Sequence, residues 1–268
     1  MIRRAFAIRF NSEAETGRTK PLRVTIETDD GVEHDVFLKV TSGIQIGIEG
    51  LVNEMLGSLL AADLGLPVNE PFFVELDPEF VAAMNPLALK QRLASSCPLA
   101  FASKDAGRQW RRWLRTDRVA PSQVGLALAI VAFDAFIANH DRRPDNPNLL
   151  VKDQAWLMID HEAAFSFGMK WFPKCEPWKT GNLAGIFDIS QAGGHVFGKD
   201  LTKRNDLSFD EVEAAWTGLS DGRLAQYEAS LPEEWASARP SLLAATEHIR
   251  RVRDTIGLCL AELRRVLS

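Results

Sequence analysis

The sequence has few cysteines and no long apolar run, and both shortages limit what the protein can be. Only three cysteines occur in 268 residues, Cys97, Cys175 and Cys259, widely spaced and without a CxxC pair. This pattern predicts neither a disulfide framework nor a zinc site, and it is typical of a reduced cytoplasmic protein. The most apolar run, residues 124–133, is shorter than the roughly 18 residues of a membrane helix. The N-terminus has no apolar stretch of signal-peptide length, so we expect no membrane partner.

The chain also lacks an excess of positive charge. Its 31 Lys and Arg residues stand against 36 Asp and Glu residues, which gives a net charge of −5. Because duplex binding depends on many contacts between basic side chains and phosphates, we expect no general nucleic-acid binding. Apolar residues make up 46% of the chain and charged residues 25%. That balance is typical of a globular protein and excludes a disordered one.

The residue patterns divide the chain into a strand-rich beginning and a helical remainder. Alternating and β-branched residues predict strands over 3–10, 22–28, 34–40 and 72–76, and apolar residues at helical spacing predict a helix over 48–64. Beyond them the patterns predict helices over 121–139, 209–217, 221–229 and 242–267, with strands at 149–152 and 155–159. We therefore expect an α+β protein with a small β-rich part, residues 1–77, and a larger helical part, residues 78–268.

The most informative segment lies between residues 139 and 160, where polar residues follow a helix and flank a strand hairpin. Asp141 is on the loop after the helix, Asn146 follows five residues later, and Asp160 ends the second strand. A carboxylate on such a loop can accept a proton from an attacking hydroxyl or orient it. Asn146 and Asp160 would lie close together and offer the oxygen ligands that Mg²⁺ prefers. Each residue alone is typical of a turn, but their order and spacing indicate phosphoryl transfer.

A lysine and a glutamate in the strand-rich part fit the same chemistry. Lys39 lies within the apolar strand VFLKV, where its ammonium must find an anion or leave the sheet face. Glu54 follows fifteen residues later on the predicted helix and can reach back as the counter-ion. Such a pair fixes a lysine against nucleotide phosphates. The alternative is an edge-strand lysine with its head in water.

The polar loop between the first two strands is a weaker candidate for phosphate binding. Gly17 could let backbone amides approach phosphates, and Arg18, Thr19 and Lys20 add charge or donors. The loop contains neither a Walker motif nor GxGxxG, and an ordinary hairpin loop explains it equally well.

Four segments in this order resemble the HipA-like kinases and, more distantly, phosphatidylinositol kinases and protein kinases. They are VFLKV at 36–40, VNEMLGSLLAADLGLPV at 52–68, DAFIANHDRRPDNPNLLV at 134–151 and LMIDHEAAF at 157–165. The resemblance covers roughly residues 15–165 and is most specific at the catalytic loop. It implies a two-lobed protein kinase-like fold with a small β-rich N-lobe and a larger, mainly helical C-lobe. The implied cofactors are ATP and Mg²⁺, and the implied acceptor is a hydroxyl, as in a protein serine or threonine.

The resemblance also implies a role for each candidate residue. Asp141 is the implied catalytic base, and Asn146 and Asp160 are the implied Mg²⁺ ligands. Lys39 would bind the α- and β-phosphates with Glu54 as its partner. The segment 70–75, including Glu70 and Phe72, would be the hinge that offers backbone groups to adenine. The sequence departs from the Asp-x-His arrangement that is usual in the family. It is nearer to the Asp-Arg-His of lipid kinases, with Arg143 in the place of the histidine. The chain is also much shorter than full-length HipA toxins.

Other functions remain open from the sequence alone. A catalytically silent pseudokinase-type module would bind nucleotide or a partner without turnover, and a small-molecule or lipid kinase, or an enzyme transferring AMP, would use similar residues. His140 and His161 could suggest a metal phosphohydrolase, but only His34 precedes them, in a predicted strand.

Two further features carry no assigned role. The segment RQWRRWLR, residues 108–115, predicts a basic aromatic helix that either packs its tryptophans inward or binds an acidic partner or nucleic acid. The glycine-rich segment QAGGHVFG predicts a loop, and we expect its His195 to lie at the surface.

Overall fold

The first strands of the chain close into a five-stranded barrel. The computed structural model describes residues 2–14, 20–42, 47–165, 175–183 and 194–268. The strands follow the order β1-β2-β3-β5-β4, and β1 closes the barrel by pairing in parallel with β4. Their bounds are Arg3–Glu13 for β1, Leu22–Thr28 for β2, Glu33–Lys39 for β3, Pro71–Glu75 for β4 and Leu99–Lys104 for β5. Alternate residues of β2 and β3, such as Val24, Ile26, Val36 and Leu38, point inward and are fully buried.

The barrel does not end at the boundary predicted at residue 77. Strand β5 pairs with both β3 and β4, so the expected division between 1–77 and 78–268 cuts through the barrel. Two short helices, α2 Pro78–Ala82 and α3 Leu87–Ala94, connect β4 to β5. The first four residues of β5 are all buried, and a strand buried on both faces shows no alternation by which a sequence would reveal it.

Helix α1, Ile48–Asp63, joins the barrel to the rest of the molecule. Every residue from Gly50 to Ala61 is buried, because one side of the helix meets the barrel and the other meets helices of the C-terminal part. The helix ends near Gly65, whose φ of 72° suits a residue without a side chain. The predicted helix over 48–64 is thus confirmed, and it carries Glu54 into the interior.

The C-terminal part is mainly helical and encloses the larger apolar core. Its helices are α4 Val124–Phe136, α5 Gly198–Leu201, α6 Asp210–Thr217, α7 Asp221–Ala229, α8 Arg239–Asp254 and α9 Ile256–Leu267, with 3-10 turns at Pro121–Gln123 and Glu233–Ala238. The single helix predicted over 242–267 is two helices, since Thr255 between them leaves helical geometry. None of the helices described is long and apolar enough to cross a membrane.

A small sheet positions the loop that carries the candidate site. Its strands are β6 Arg111–Arg112, β7 Leu149–Lys152 and β8 Ala155–Met158, in the order β6-β7-β8. The hairpin of β7 and β8 is confirmed. The basic helix predicted over 108–115 is wrong, because that segment forms a turn and the edge strand β6, with the Trp113 side chain buried beneath it.

Candidate active site

Three predicted residues meet around one ammonium group. Lys39 is the last residue of β3, and its Nζ donates to Oε1 of Glu54 and, at 2.8 Å, to Oδ1 of Asp160. Glu54 reaches it from α1, and Asp160 follows β8. Asp160 has a φ of 63°, in the left-handed region, so the backbone turns sharply where the strand ends. Barrel, helix and hairpin thus bring together residues that lie up to 121 positions apart.

Burial and charge act in opposite directions on this cluster. Burial disfavours the charged form of Lys39, but Asp160 and Glu54 outweigh it and raise the pKa of the ammonium, so it stays charged. Burial would also raise the pKa of Asp160, but Lys39 outweighs it and lowers that pKa. For Glu54, burial and the charge of Asp160 prevail over Lys39 and raise the pKa. Lys39 therefore binds one strongly ionised carboxylate, that of Asp160, and one that gives up its proton less readily, that of Glu54.

Asp141 is held on its loop by two amides. Asn146 donates Nδ2 to Oδ2 of Asp141 at 2.7 Å, and Asn148 donates to the same oxygen at 3.2 Å. Arg143 lies 3.5 Å from Oδ1. Burial and the nearby charge of Asp160 raise the pKa of Asp141, while the two amides and Arg143 work against that rise. A fixed carboxylate with a raised pKa, close to a second carboxylate, is suited to accepting a proton from a hydroxyl.

The loop rests on a buried polar cluster that the sequence does not reveal. Asp134, on α4, accepts from Nε of Arg142 at 2.6 Å and from Nδ2 of Asn139 at 2.7 Å, and it hydrogen-bonds Nε2 of His195 at 2.9 Å. Arg142 also donates to the backbone carbonyl of Asn148. The side chains of Arg142 and Asp134 are fully buried. Arg142 thus joins α4, which precedes Asp141, to the backbone of Asn148, which follows Asn146, and holds the loop between them in place.

This cluster corrects the prediction for His195 and shows what the sequence could have indicated. His195 is buried and bound to Asp134, so the prediction of a surface histidine is wrong. Asp134 was visible as a lone charged residue in the apolar helix 124–138, which signals a buried partner. The identity of that partner was not visible, because Arg142 lies in a polar loop where an arginine is ordinarily exposed.

A close contact between α1 and the residue after Asp160 fixes the distance between them. The His161 ring packs edge-on against Phe133, and its backbone N–H donates to Oε1 of Glu54 at 3.1 Å. A Cβ added at Gly57 would lie 2.6 Å from Cβ of His161, closer than real side chains approach. Burial lowers the pKa of His161 to about 3, so the ring is neutral. Glycine at position 57 therefore lets α1 approach the metal-ligand candidate Asp160.

The remaining candidates are not joined to the cluster by any contact among the described residues. Gly17, Arg18 and Thr19 lie outside the described residues. Lys20 is exposed, with a φ of 42°, and its carbonyl accepts from Arg92 at 3.0 Å.

The segment 70–75, predicted to be the hinge, forms barrel strand β4 and the residue before it. Phe72 is fully buried inside it and pairs with Arg3 on one side and Ala102 on the other, so neighbouring strands take its backbone groups. Glu70 forms a salt bridge of 2.7 Å with Arg3 and lies 3.7 Å from Lys104. Both residues thus take part in the pairing and ion pairs of the barrel, and their role as a hinge for adenine stays a prediction.

The donor set beside Asp141 fits a divalent cation. The amide nitrogen of Asn146 donates to Asp141, so its amide oxygen is the atom that can bind a cation. Asp160 supplies a strongly ionised carboxylate. Carboxylate oxygens of Glu54, Asp160 and Glu162 also lie within 4.8 Å of one another. Hard oxygen donors of this kind are the ligands that Mg²⁺ accepts in small number, with phosphate oxygens and water completing its shell.

Comparison with solved structures identifies the class of fold. The chain is similar to the Helicobacter pylori proinflammatory kinase CtkA, with 11% identity, a TM-score of 0.50, and coverage of 97% of this chain and 99% of that one. It also matches the Leishmania major MAP kinase LmaMPK10 with 11% identity, a TM-score of 0.29, and coverage of 93% and 81%. The first of these likenesses shows a kinase fold.

The family follows from the sequence itself. The model of the HipA-like kinase family matches residues 9–175, well over half of the chain. The chain therefore belongs to the HipA-like kinases and is a phosphotransferase, as the motif order predicted. No curated protein matches the chain.

Proposed function

We propose that the protein is an ATP- and Mg²⁺-dependent kinase that transfers the γ-phosphate to a hydroxyl, with a serine or threonine of a protein as the acceptor. The observation that carries the proposal is the anchoring of Lys39 between Glu54 and Asp160, beside an Asp141 that two amides orient. Phosphoryl transfer requires mainly positioning and charge neutralisation, and these residues are suited to both.

Each residue has a distinct task in this proposal. Lys39, kept charged by its carboxylates, binds phosphate oxygens of the nucleotide, and Glu54 holds the lysine in place while it does so. Asp141 accepts or orients the proton of the attacking hydroxyl. Asn146 and Asp160 would hold Mg²⁺, which when bound neutralises charge on the phosphates. The buried pair of Asp134 and Arg142 keeps the loop rigid, so that little reorganisation is needed during the reaction.

The nucleotide would lie between two lobes. The barrel with α1 forms the smaller lobe, and the helical part with the small sheet forms the larger one. Lys39 belongs to the first, and Asp141 and Asn146 belong to the second, so the proposed site spans both. The polar loop with Gly17, Arg18 and Lys20 stays a candidate for covering the phosphates.

Incubation with γ-labelled ATP and Mg²⁺, with and without cell lysate, tests the proposal. We expect the wild type to transfer label and the Asp141→Ala and Asp160→Ala variants to lose at least about 10²-fold of that activity, which is typical of groups that stabilise charge in the transition state. Failure of the wild type to consume ATP or transfer label would refute the kinase proposal. If Mg·ATP then still raised the melting temperature, the protein would be a nucleotide-binding module without turnover.

A further inference from the structure

The edge of the small sheet carries a concentration of arginines in a chain that is otherwise acidic. Residues 108–118 contain five arginines and a single aspartate, although the whole chain has a net charge of −5. The arginines are Arg108, Arg111, Arg112, Arg115 and Arg118. We call this segment the arginine edge. Such a concentration creates a local positive potential that the net charge of the chain does not predict.

Three of these arginines have no acidic partner within the described part of the chain. Arg111 is neutralised by Asp117 at 2.6 Å, and Arg118 donates to backbone carbonyls and lies near Asp200. Arg108, Arg112 and Arg115 are exposed and form no salt bridge with any described residue. Guanidinium groups that no described acidic residue binds can bind the carboxylates of a partner through two parallel hydrogen bonds.

The arginine edge is next to the catalytic loop. Arg112 pairs with Leu150 of β7, and the N–H of Trp113 donates to the carbonyl of Leu149 at 3.0 Å. Leu149 directly follows Asn148, which holds Asp141. With strands about 4.8 Å apart and about 3.3 Å per residue, Arg112 lies roughly 10–15 Å from the Asp141 carboxylate. An extended peptide covers that distance in three to five residues.

Of the two tryptophans of the arginine edge, Trp110 is half-buried and Trp113 is buried and not free to stack on bases. Trp113 is 6% exposed and meets Trp156 and Phe197 edge-to-face, each at 5.3 Å between ring centres. Single-stranded nucleic acids are held largely by stacking on exposed aromatic side chains. The arrangement therefore favours an acidic peptide over a nucleic acid as the partner. β6 is only two residues long and its outward carbonyl, that of Arg112, accepts from the Arg111 guanidinium at 3.1 Å, so the arginine side chains rather than the strand backbone are the groups offered to a partner.

We propose that the arginine edge is a docking surface for an acidic segment of the polypeptide that accepts the phosphoryl group. The inference rests on the proposed kinase function and specifies its substrate class. Arg108, Arg112 and Arg115 bind glutamate or aspartate side chains that lie three to five residues from the acceptor hydroxyl. The acidic segment thereby sets which hydroxyl reaches Asp141.

Peptide binding measured by fluorescence anisotropy tests the surface without requiring turnover. The probe is a labelled 12-residue peptide with one serine and glutamates three to five positions from it, and the control peptide has glutamines instead. At low salt we expect the wild type to bind the glutamate peptide at least about 10-fold more tightly than the glutamine peptide. The triple variant R108Q/R112Q/R115Q should bind both peptides equally.

Charge-matched controls separate docking from general attraction. The variant K90Q/R239Q/R250Q removes three positive charges elsewhere on the surface and should keep the preference of the wild type. Equal binding of both peptides by the wild type, or an unchanged preference in the triple variant of the arginine edge, would overturn the inference. Tighter binding of a 12-nucleotide single strand that displaces the peptide would overturn it in favour of nucleic acid. Label transfer to lysate proteins without any peptide preference would refute docking alone and leave the kinase proposal standing.

Discussion

A single methyl group added at position 57 of helix α1 should disturb the active site, because it would press on His161, the neighbour of Asp160. In the variant Gly57→Ala the new Cβ lies 2.6 Å from Cβ and 2.9 Å from Cγ of His161. Ordinary contact begins near 3.5 Å, so the histidine and the helix must separate by about 1 Å. His161 is buried and packs against Phe133, so we expect part of the displacement to pass to its neighbour Asp160.

The energetic balance can be worked out against a glycine that meets nothing. Alanine in place of glycine inside a helix gains about 1 kcal/mol in helix propensity. At Gly257 in α9 an added Cβ meets no atom within 4 Å, so Gly257→Ala should gain up to this amount. At Gly57 overpacking costs about 1–3 kcal/mol and cancels or exceeds the gain. We therefore expect Gly57→Ala to be about 1–3 kcal/mol less stable than Gly257→Ala.

Two measurements check this reasoning. Thermal unfolding should show Gly257→Ala at or above the wild-type melting temperature and Gly57→Ala below that of Gly257→Ala by several degrees. In the kinase assay Gly57→Ala should lose about 10- to 100-fold in turnover, because a misplacement near 1 Å has that effect, while Gly257→Ala keeps wild-type activity. A Gly57→Ala variant as stable and as active as Gly257→Ala would show that α1 and His161 are not in contact as described.

Three more predictions follow from the charged groups. Asp134→Asn leaves Arg142 as an unpaired buried cation and should lower the free energy of unfolding by about 3–5 kcal/mol in urea titration; Asp206→Asn, which breaks the exposed pair with Arg204, should change it by less than about 1 kcal/mol. Lys39→Met should cost at least about 10²-fold in turnover, whereas Lys104→Met on the neighbouring strand, where the lysine is exposed, should leave turnover unchanged; equal losses would contradict the role of Lys39. Arg143→Gln removes a positive charge that lowers the pKa of Asp141, so that pKa rises. Since a base acts only after losing its proton, the acidic limb of the profile of kcat/KM against pH should move to higher pH, and a limb that stays or moves lower would contradict Asp141 as the base.

Local patterns in the sequence were sufficient to predict most of the elements that carry the candidate residues. Strands β2 and β3 alternate, α1 has helical periodicity and a glycine stop, and the hairpin of β7 and β8 is bounded by turn residues. These elements bring Lys39 and Glu54 together, as the sequence predicted, and the structure adds a direct bond from Lys39 to Asp160.

Features that depend on distant packing were not predictable from one sequence. Strand β5 is buried on both faces and shows no alternation, so the barrel and its true extent were missed. The arginine-rich segment 108–115 has enough aromatic residues to suggest a helix, but pairing with β7 makes it a strand. His195 gave no signal because its partner Asp134 lies 61 positions away, and only the folded chain shows that the two meet.

The burial of α1 has a consequence for how such an enzyme can be controlled. The helix is tied at its start by a 2.8 Å hydrogen bond from Ser241 to Glu49 and at its end by bonds from Arg223 and Tyr227 to Asp63. A helix so enclosed cannot swing outward and take Glu54 from Lys39 without breaking the packing of both parts of the molecule. We therefore expect α1 to keep Glu54 beside Lys39 whether or not nucleotide and acceptor are bound.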